Sequence, residues 1–273
     1  MVDADLTSPP STSQFNAVQT IDFPTLVSLG LIPGVTHDSR VGANTNIPSS
    51  TFITLSNVTS AAFPSNFPAS PQQMQIVSTS AADASAGTGA QQVKLTYLRS
   101  PASLQGFTVN TEFITMNGLT PVLTINTDIY RVEKVEIARV GTSQGSVGNI
   151  TLQSVGGATT FEMIDSARRI NKTCVHFVPK GFKSTVFSVT KGVSTTGGTI
   201  FILRKGIQYQ GTNVVEHGVD QLEMGDFVIH SLLVPPETIS NPDGQEMYFI
   251  IVVKGQASMQ SASGTIHFID TPI

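Results

Sequence analysis

Charged side chains are scarce in this chain of 273 residues. Asp, Glu, Lys and Arg make up 12% of it, against about 25% in an ordinary soluble domain. The polar surface must therefore come mainly from Ser, Thr, Asn and Gln. Such a surface loses little hydration energy when a neighbouring molecule covers it. The scarcity of charge favours assembly with other subunits over life as a free monomer.

The few charges also show no local concentration. The net charge is −4, and no cluster of Lys or Arg occurs to form the basic stripe that a nucleic-acid groove requires. We therefore expect neither DNA nor RNA as a direct partner. No uninterrupted run of about 18 apolar residues predicts a transmembrane span. The first residues lack the basic and apolar regions of a signal peptide, so we expect no membrane partner and synthesis in the cytoplasm.

Residues that carry common chemistry are also few. The single cysteine, Cys174, excludes an intramolecular disulfide. A buried thiol is the simplest interpretation, and a nucleophile is the alternative. The five histidines have no metal-ligand spacing, and no nucleophile elbow, phosphate loop or dinucleotide fingerprint is present. With no Trp and four Tyr, aromatic platforms for a sugar are also few. We predict a non-enzymatic protein without catalytic residues, cofactor or metal.

What the sequence does contain is short β-prone runs separated by turn residues. The chain has 23 Gly and 15 Pro, and its turn signals recur about every 8–12 residues, as in sandwiches and jelly rolls. We predict an all-β fold with two β-sandwich, jelly-roll-like modules after an extended N-terminal arm. The predicted boundaries are 1–48 for the arm, 49–155 for the first module, 156–171 for a connection and 172–273 for the second module.

The predicted arm combines prolines with apolar residues. Prolines at positions 9, 10, 24, 33 and 48 argue against a long helix or a central strand. The apolar side chains are too many to remain in water, so they pack either on their own domain or on a neighbouring subunit. Deletion of residues 1–48 is expected to leave the β-core folded and to abolish attachment of the chain to its assembly. The residues predicted to form this assembly interface are Phe15, Val18, Ile21, Phe23, Leu26, Leu29 and Leu31.

One strand-like run changes its pattern partway. From Ile129 to Val140 the apolar residues move from one parity to the other. Because alternate residues of a strand face opposite sides, this change predicts a β-bulge or a strand that crosses between environments. Nearby, Asn117-Gly118 predicts a tight turn between strands.

A polar cluster later in the chain is the best candidate for recognition. Glu216 and His217, with Asp220 and Glu223 close by, follow a turn at 211–213. A solvated loop is the simplest interpretation, and a cation site or a general base is the alternative. Tyr209 lies near the same loop tip, so Tyr209, Glu216 and His217 form the candidate recognition loop.

Five segments follow one another in a recognisable order: Ser78–Leu98, Thr115–Val122, Ile129–Val132, Gly145–Leu152 and His176–Phe182. In this order they resemble a pattern found in virion structural proteins of tailed double-stranded DNA bacteriophages, particularly marine and cyanobacterial ones. The similarity spans roughly residues 76–255, and it implies a β-sandwich component of the particle: a head decoration or cement protein, a head fibre, or a neck or tail part. It implies no catalytic residues.

Together these observations predict a virion structural protein, most simply a capsid-associated one. Its expected partners are the major capsid, neck or tail proteins of the same particle, and copies of itself in a homo-oligomer, with a trimer as the hypothesis. The alternative is a tail or neck protein that binds a receptor or a glycan through the loop near Tyr209. A third class, a secreted polysaccharide-degrading enzyme, has neither a signal peptide nor a catalytic constellation to favour it.

Overall fold

The structure is a computed structural model that describes residues 23–58, 67–99, 108–193, 199–209, 213–224, 229–232, 237–244, 246–255 and 260–273. The protein is all-β, as predicted, and its sheets are antiparallel. One short helix, α1 (Phe23–Ser28), precedes the strands. In the first part of the chain the strands are β1 (Thr36–Ile47), β2 (Ile53–Thr54), β3 (Met74–Ser78), β4 (Ala90–Arg99), β5 (Val109–Thr115), β6 (Val122–Leu123), β7 (Ile129–Val140), β8 (Ile150–Ser154) and β9 (Thr160–Ile164). In the second part they are β10 (Val175–Phe177), β11 (Phe182–Val193), β12 (Thr199–Tyr209), β13 (Asn213–Met224), β14 (Ile229–Leu232), β15 (Glu237–Asn241), β16 (Glu246–Gly255) and β17 (Gln260–Pro272).

Two of the sheets form what we call the terminal sandwich, because strands from both ends of the described chain build it. Sheet I has the order β1-β17-β11-β14, and β15 also pairs with β11. Sheet II has the order β10-β16-β12-β13, and β2 also pairs with β16. Buried side chains of both sheets meet in one apolar core, with Ile47, Val189 and Phe268 from sheet I against Ile53 and Phe249 from sheet II.

The other two sheets form the inserted sandwich, which occupies residues 67–171. Sheet III has the order β6-β3-β8-β9, and sheet IV has the order β5-β4-β7. Their shared core includes Ile76 and Leu152 from sheet III and Val93, Leu95 and Val135 from sheet IV. Both the alternation of these apolar residues and the turns between them were legible in the sequence. Gly118 of the predicted Asn117-Gly118 turn has a φ of 60°, a conformation that glycine adopts without strain.

Strand β1 differs from the predicted extended arm. Residues 36–47 pair with β17 over a register that runs from Thr36 opposite Asp270 to Ile47 opposite Gln260. Ile47 is fully buried in the core of the terminal sandwich. The boundary drawn at residue 48 therefore separates β1 from β2, although both strands contribute to that core. Deletion of residues 1–48 would remove a sheet strand, so, in contrast to the expectation from the sequence, the structure predicts that the terminal sandwich does not survive it.

A close approach of backbones explains one glycine of β1. A Cβ at Gly42 would lie 2.3 Å from the carbonyl oxygen of Leu55 and 2.6 Å from Cβ of Cys174. No side chain fits at those distances, so glycine is required where sheet I comes nearest to sheet II.

The only described helix is α1, and no described helix is long and apolar enough to cross a lipid bilayer.

Candidate functional site

The most distinctive site is the junction between the two sandwiches. Its apolar part combines Leu98 and Tyr130 of sheet IV with Val175, Phe177 and Tyr248 of sheet II. The rings of Phe177 and Tyr248 meet edge to face with centroids 5.9 Å apart. This apolar contact surrounds charged side chains that are buried with it.

A β-bulge places one of these charges. In the pairing of β7 with β4, Val132 lies opposite Tyr97 and Lys134 lies opposite Thr96. Glu133 is therefore the extra residue of a bulge, the feature that the change of parity along 129–140 predicts. The bulge directs the Glu133 side chain out of the inserted sandwich and toward the terminal sandwich.

Glu133 binds two strands of the terminal sandwich, β1 and β10. Its Oε1 accepts hydrogen bonds from Nε and Nη2 of Arg40 at 3.1 and 2.6 Å, and lies 2.8 Å from Nδ1 of His176. Its Oε2 accepts a hydrogen bond of 2.9 Å from the backbone N–H of Phe177. On the far side of the imidazole, Nε2 lies 3.1 Å from both Ser184 Oγ and Asp270 Oδ1. The Arg40 guanidinium also donates to Asp38 at 2.7 Å.

The charges in this network compensate one another. Burial alone would lower the pKa of His176, but Glu133 and Asp270 outweigh burial and raise this pKa to about 9. Burial would raise the pKa of Glu133, but Arg40 and His176 reverse the shift and hold it below its usual value. The imidazolium therefore donates both of its N–H groups to carboxylates near neutral pH. A buried network of this kind is destabilised strongly when one partner is removed.

The arrangement of Ser184, His176 and an acid resembles a catalytic triad in composition, but it cannot work as one. Ser184 is completely buried, and His176 is 2% exposed, so no substrate reaches the hydroxyl. Ser184 Oγ donates its proton to Asp270, while the protonated imidazole has no free lone pair with which to act as a base. The network can hold two modules together, and it cannot present a nucleophile.

A second ion pair crosses the junction beside the first. Arg131 of β7 donates through Nε to Glu246 of β16, and through Nη1 to the backbone oxygen of Pro68 at 2.9 Å. The guanidinium carbon lies 3.6 Å from the ring centroid of Tyr130 and 5.3 Å from that of Phe67. Both charged side chains are buried, so sheets IV and II are joined by charge as well as by apolar contact.

The chain crosses between the sandwiches at two adjacent places. Ser56 and Thr173 form an isolated antiparallel bridge, and the N–H of Asn57 donates to the oxygen of Lys172 at 3.1 Å. Glu162 of β9 accepts hydrogen bonds from Asn171 at 2.8 Å and from Thr173 at 2.5 Å. Burial raises the pKa of Glu162 to about 7, although both hydrogen bonds act to lower it. This carboxyl therefore changes its charge near neutral pH beside the two crossings.

The predicted assembly residues fall partly outside the described chain. Phe15, Val18 and Ile21 lie outside the described residues, and Phe23 begins α1 with its side chain outside the description. Leu26 is half-buried. The Leu29 and Leu31 side chains are each 62% exposed. The assembly role of these residues stays a prediction.

The candidate recognition loop is not a loop at the predicted residues. Tyr209 is the last residue of β12 and lies opposite Asn213. Glu216 and His217 lie within β13, opposite Gly206 and Lys205. The solvated-loop interpretation is therefore wrong, because Glu216 and His217 lie in a strand that pairs with β12. The three residues share one hairpin at the edge of sheet II, and their side chains lie outside the description.

Other sites raised by the sequence have structural explanations. Cys174 is buried, its Sγ lies 3.2 Å from the backbone oxygen of Arg40, and burial raises its pKa to about 12. Such a thiol is not a nucleophile. Among the residues described, no group of three or more His, Cys, Asp or Glu side chains could hold a metal ion.

Sequence reasoning missed the junction itself. His176 was interpreted as one of several strand histidines, while Arg40 lay in the predicted arm and Asp270 at the end of the last strand. The one signal that pointed to this site was the change of parity around Glu133. Two buried charges of opposite sign on strands far apart in sequence give no local pattern, because their pairing depends on the topology.

No known family model matches the chain, and no curated protein matches it. Among solved structures, one similarity is to the VP2 subviral particle of infectious bursal disease virus, at 11% identity over 88% of this chain and 73% of that chain, with a TM-score of 0.26. The Gx strain of the same virus gives 10% identity over 87% and 72%, with a TM-score of 0.28. The empty top component of cowpea mosaic virus gives 9% identity over 72% and 80%, with a TM-score of 0.20. Overlaps this low do not establish a shared fold, and no role is transferred from them.

Proposed function

We propose that the chain is a non-enzymatic structural protein of a virus particle, located in the virion and associated with the capsid. Within that class, the role that the sequence favours is a decoration, cement or head-fibre subunit that forms homo-oligomers and contacts the major capsid, neck or tail proteins. The trimer expected from the sequence is part of this proposal.

The observation that carries the proposal is the order of strands in the terminal sandwich. The strands pair from the outside of the sequence inward: β1 with β17, β2 and β10 with β16, β11 with β14 and β15, and β12 with β13. This nested pairing over two facing sheets is the plan of a jelly roll, which recurs in viral capsid domains, lectins and cupins. Because one fold hosts several functions, the choice between a capsid domain, a lectin and a cupin depends on other features of the chain.

Two features favour the particle role over the other two classes. Cupins carry a metal in the barrel, and the described residues contain no cluster that could hold one. Sugar sites use aromatic platforms, and this chain has no Trp and four Tyr. A capsid domain instead needs large surfaces that can be covered, and a chain with 12% charged residues provides them at a low desolvation cost.

The second candidate is a tail or neck protein that binds a receptor or a glycan. The jelly roll also recurs in lectins, and the β12–β13 hairpin carries Tyr209, Glu216 and His217 at a sheet edge. On this alternative the hairpin contacts the receptor, and the inserted sandwich fixes its direction relative to the particle.

Mass spectrometry of washed virus particles whose genome encodes the chain tests the proposal. We expect peptides of this chain at a fixed ratio to the major capsid protein. Immunogold labelling with antibody against the whole chain then separates the two candidates, because label over the head supports the capsid-associated role and label at the tail supports the receptor-binding role. Absence of the chain from the washed particles would contradict both.

A further inference from the structure

The outer face of sheet I carries no charge over its middle. On β1, β17 and β11, one row of outward residues is Val41, Thr265 and Thr190, and the next is Ser39, His267 and Ser188. The described outward side chains from His37 to Ala43, from Ser263 to His267 and from Thr185 to Thr190 include no Asp, Glu, Lys or Arg. On β1 and β17, Asp38, Arg40 and Asp270 lie on the opposite parity, where Arg40 donates to Asp38 and Asp270 lies beside His176.

An aromatic cluster lies in this uncharged face. The register of β11 against β17 shifts between Val186 and Ser188, so Phe187 is the extra residue of a bulge. Its ring lies 5.4 Å from that of His37 and 6.2 Å from that of His267, and the two imidazoles are 6.4 Å apart. Three rings from three neighbouring strands thus form one patch on the surface. Aromatic residues are enriched, and charged residues depleted, at the centre of protein interfaces.

Another sheet face of the same molecule shows what a solvated surface looks like here. On the outer face of sheet IV, Glu136 lies 3.0 Å from Lys94 and 3.2 Å from Lys134. A water-facing sheet in this chain therefore does carry ion pairs, even though charge is scarce overall. The middle of β1, β17 and β11 differs from that face in carrying no charged side chain outward.

The size of the face suits a stable contact. Strand β1 has 12 residues and β17 has 13, so the face is about 40 Å long, and four strands make it about 19 Å wide. The product, about 800 Å² for the whole outer face with the uncharged rows at its centre, is what one partner contributes to an interface of standard size. Strand β1 also lies at the edge of sheet I.

We propose that the outer face of sheet I binds a second copy of this chain. A second copy is the matching partner because its surface is equally poor in charge, so neither side has to desolvate an unpaired ion. This inference deepens the proposed function, on whose homo-oligomer it rests, by assigning the contact to a face.

His267 makes such a contact sensitive to acid. Burial, and then the neighbouring His37, lower the pKa of His267, so the imidazole of His267 beside Phe187 is neutral near neutral pH. Lys183, at the end of the face on β11, is exposed and remains outside the aromatic patch. Protonation of His267 would place an unpaired charge in a covered contact. Association should therefore weaken as the pH falls.

Analytical ultracentrifugation of the full chain tests the proposal at about pH 8 and about pH 5.5. Val41, 43% exposed on sheet I, and Phe113, 55% exposed on sheet IV, provide a matched pair of substitutions. We expect an oligomer for the wild type at the higher pH. Val41→Glu should weaken association by at least about tenfold, because it buries an unpaired carboxylate, while Phe113→Glu should leave association unchanged. His267→Gln should remove the weakening of association that the wild type shows at the lower pH.

Circular dichroism checks that each variant is folded, and Ser263→Glu, at an exposed position of β17, replaces Val41→Glu if the latter unfolds. A wild-type chain that stays monomeric over a concentration series at pH 8, or an oligomer unaffected by the charge on sheet I, would overturn this inference. Neither result would remove the chain from washed particles, so failure here is distinguishable from failure of the proposed function.

Discussion

The two sandwiches use the chain in opposite ways. The inserted sandwich takes all its strands from one continuous segment, residues 67–171. The terminal sandwich instead pairs β1 with β17, which come from the two ends of the described chain. In addition, β2 and β10 both pair with β16, and the insertion lies between them in the sequence. The inserted sandwich can fold from contacts between residues that are close in sequence, whereas the terminal sandwich folds only after distant segments of the chain come together.

Because the two sandwiches form from different parts of the chain, their relative orientation depends on the contacts at the junction, and these include buried charges. Among the residues that the structure describes, apolar burial between the modules centres on a cluster around Phe177 and Tyr248. Two buried ionic groups supplement it, one centred on Glu133 and the other joining Arg131 to Glu246. Buried ion pairs require a specific geometry, so they fix one orientation between the modules where apolar contact alone would tolerate several.

The largest effect should come from removing β1. Deletion of residues 1–48 removes Arg40 and Ile47 and leaves β17 without its edge partner, so we expect the terminal sandwich not to fold. The inserted sandwich keeps all its strands. Hydrogen exchange should therefore show lost protection over 172–273 and retained protection over 67–171. Deletion of residues 1–22 alone serves as the control and should preserve both. Full protection of 172–273 after the longer deletion would contradict the dependence on β1.

A smaller effect is expected from one charge at the junction. Glu133→Gln leaves Arg40 and His176 buried without their shared carboxylate, and such a loss costs about 3–5 kcal/mol of unfolding free energy. Glu136→Gln provides the control on the same strand, because Glu136 pairs with Lys94 and Lys134 at a partly exposed site. The control should cost less than about 1 kcal/mol. Urea denaturation measures both, and equal losses would mean that the network does not hold the modules.

The smallest effect concerns pH. The pKa of Glu162 rises from 4.5 to about 7 on folding, so the folded chain binds this proton more tightly than the unfolded chain. Its contribution to stability is complete below about pH 4.5 and is lost as the pH rises through 7. Between about pH 8 and about pH 5.5, this group should therefore add stability as the pH falls, by about 2 kcal/mol.

Glu162→Gln should lose that part of the pH dependence. His176, whose pKa rises to about 9, also makes the folded chain more stable at lower pH in this range. The difference between wild type and variant isolates Glu162, because His176 is present in both. Identical pH profiles in urea denaturation would show that the carboxyl does not titrate near neutral pH.

Much of the fold could be predicted because its signals are local. The run Ile129–Val140 was predicted with its observed bounds, and its bulge was predicted from the change of parity. Strand β1 was missed because the prolines on both sides of it dominated the interpretation of residues 1–48. Strand β13 was missed because Glu216, His217 and Asp220 made an edge strand look like a solvated loop.

The junction could not be predicted in the same way. Arg40, Glu133, His176 and Asp270 meet from β1, β7, β10 and β17, and no spacing in the sequence links strands so far apart. Only the nested order of strands brings them together. The charges of a buried network can be recognised in sequence as unusual within β-prone runs, but their partners cannot be assigned before the topology is known.

The two adjacent crossings have a consequence for how such a chain could change over time. Because Asn57 and Lys172 are hydrogen-bonded across the crossings, the ends of the insertion are already as close as neighbouring strands of a sheet. A jelly roll with a short turn at this place would have the same strand order, and a different module whose ends lie equally close could occupy the position without distorting the sheet. The terminal sandwich is in this sense a scaffold that accepts an inserted domain. The buried charges around Glu133 and Arg131 make its surface complementary to the domain that it now carries.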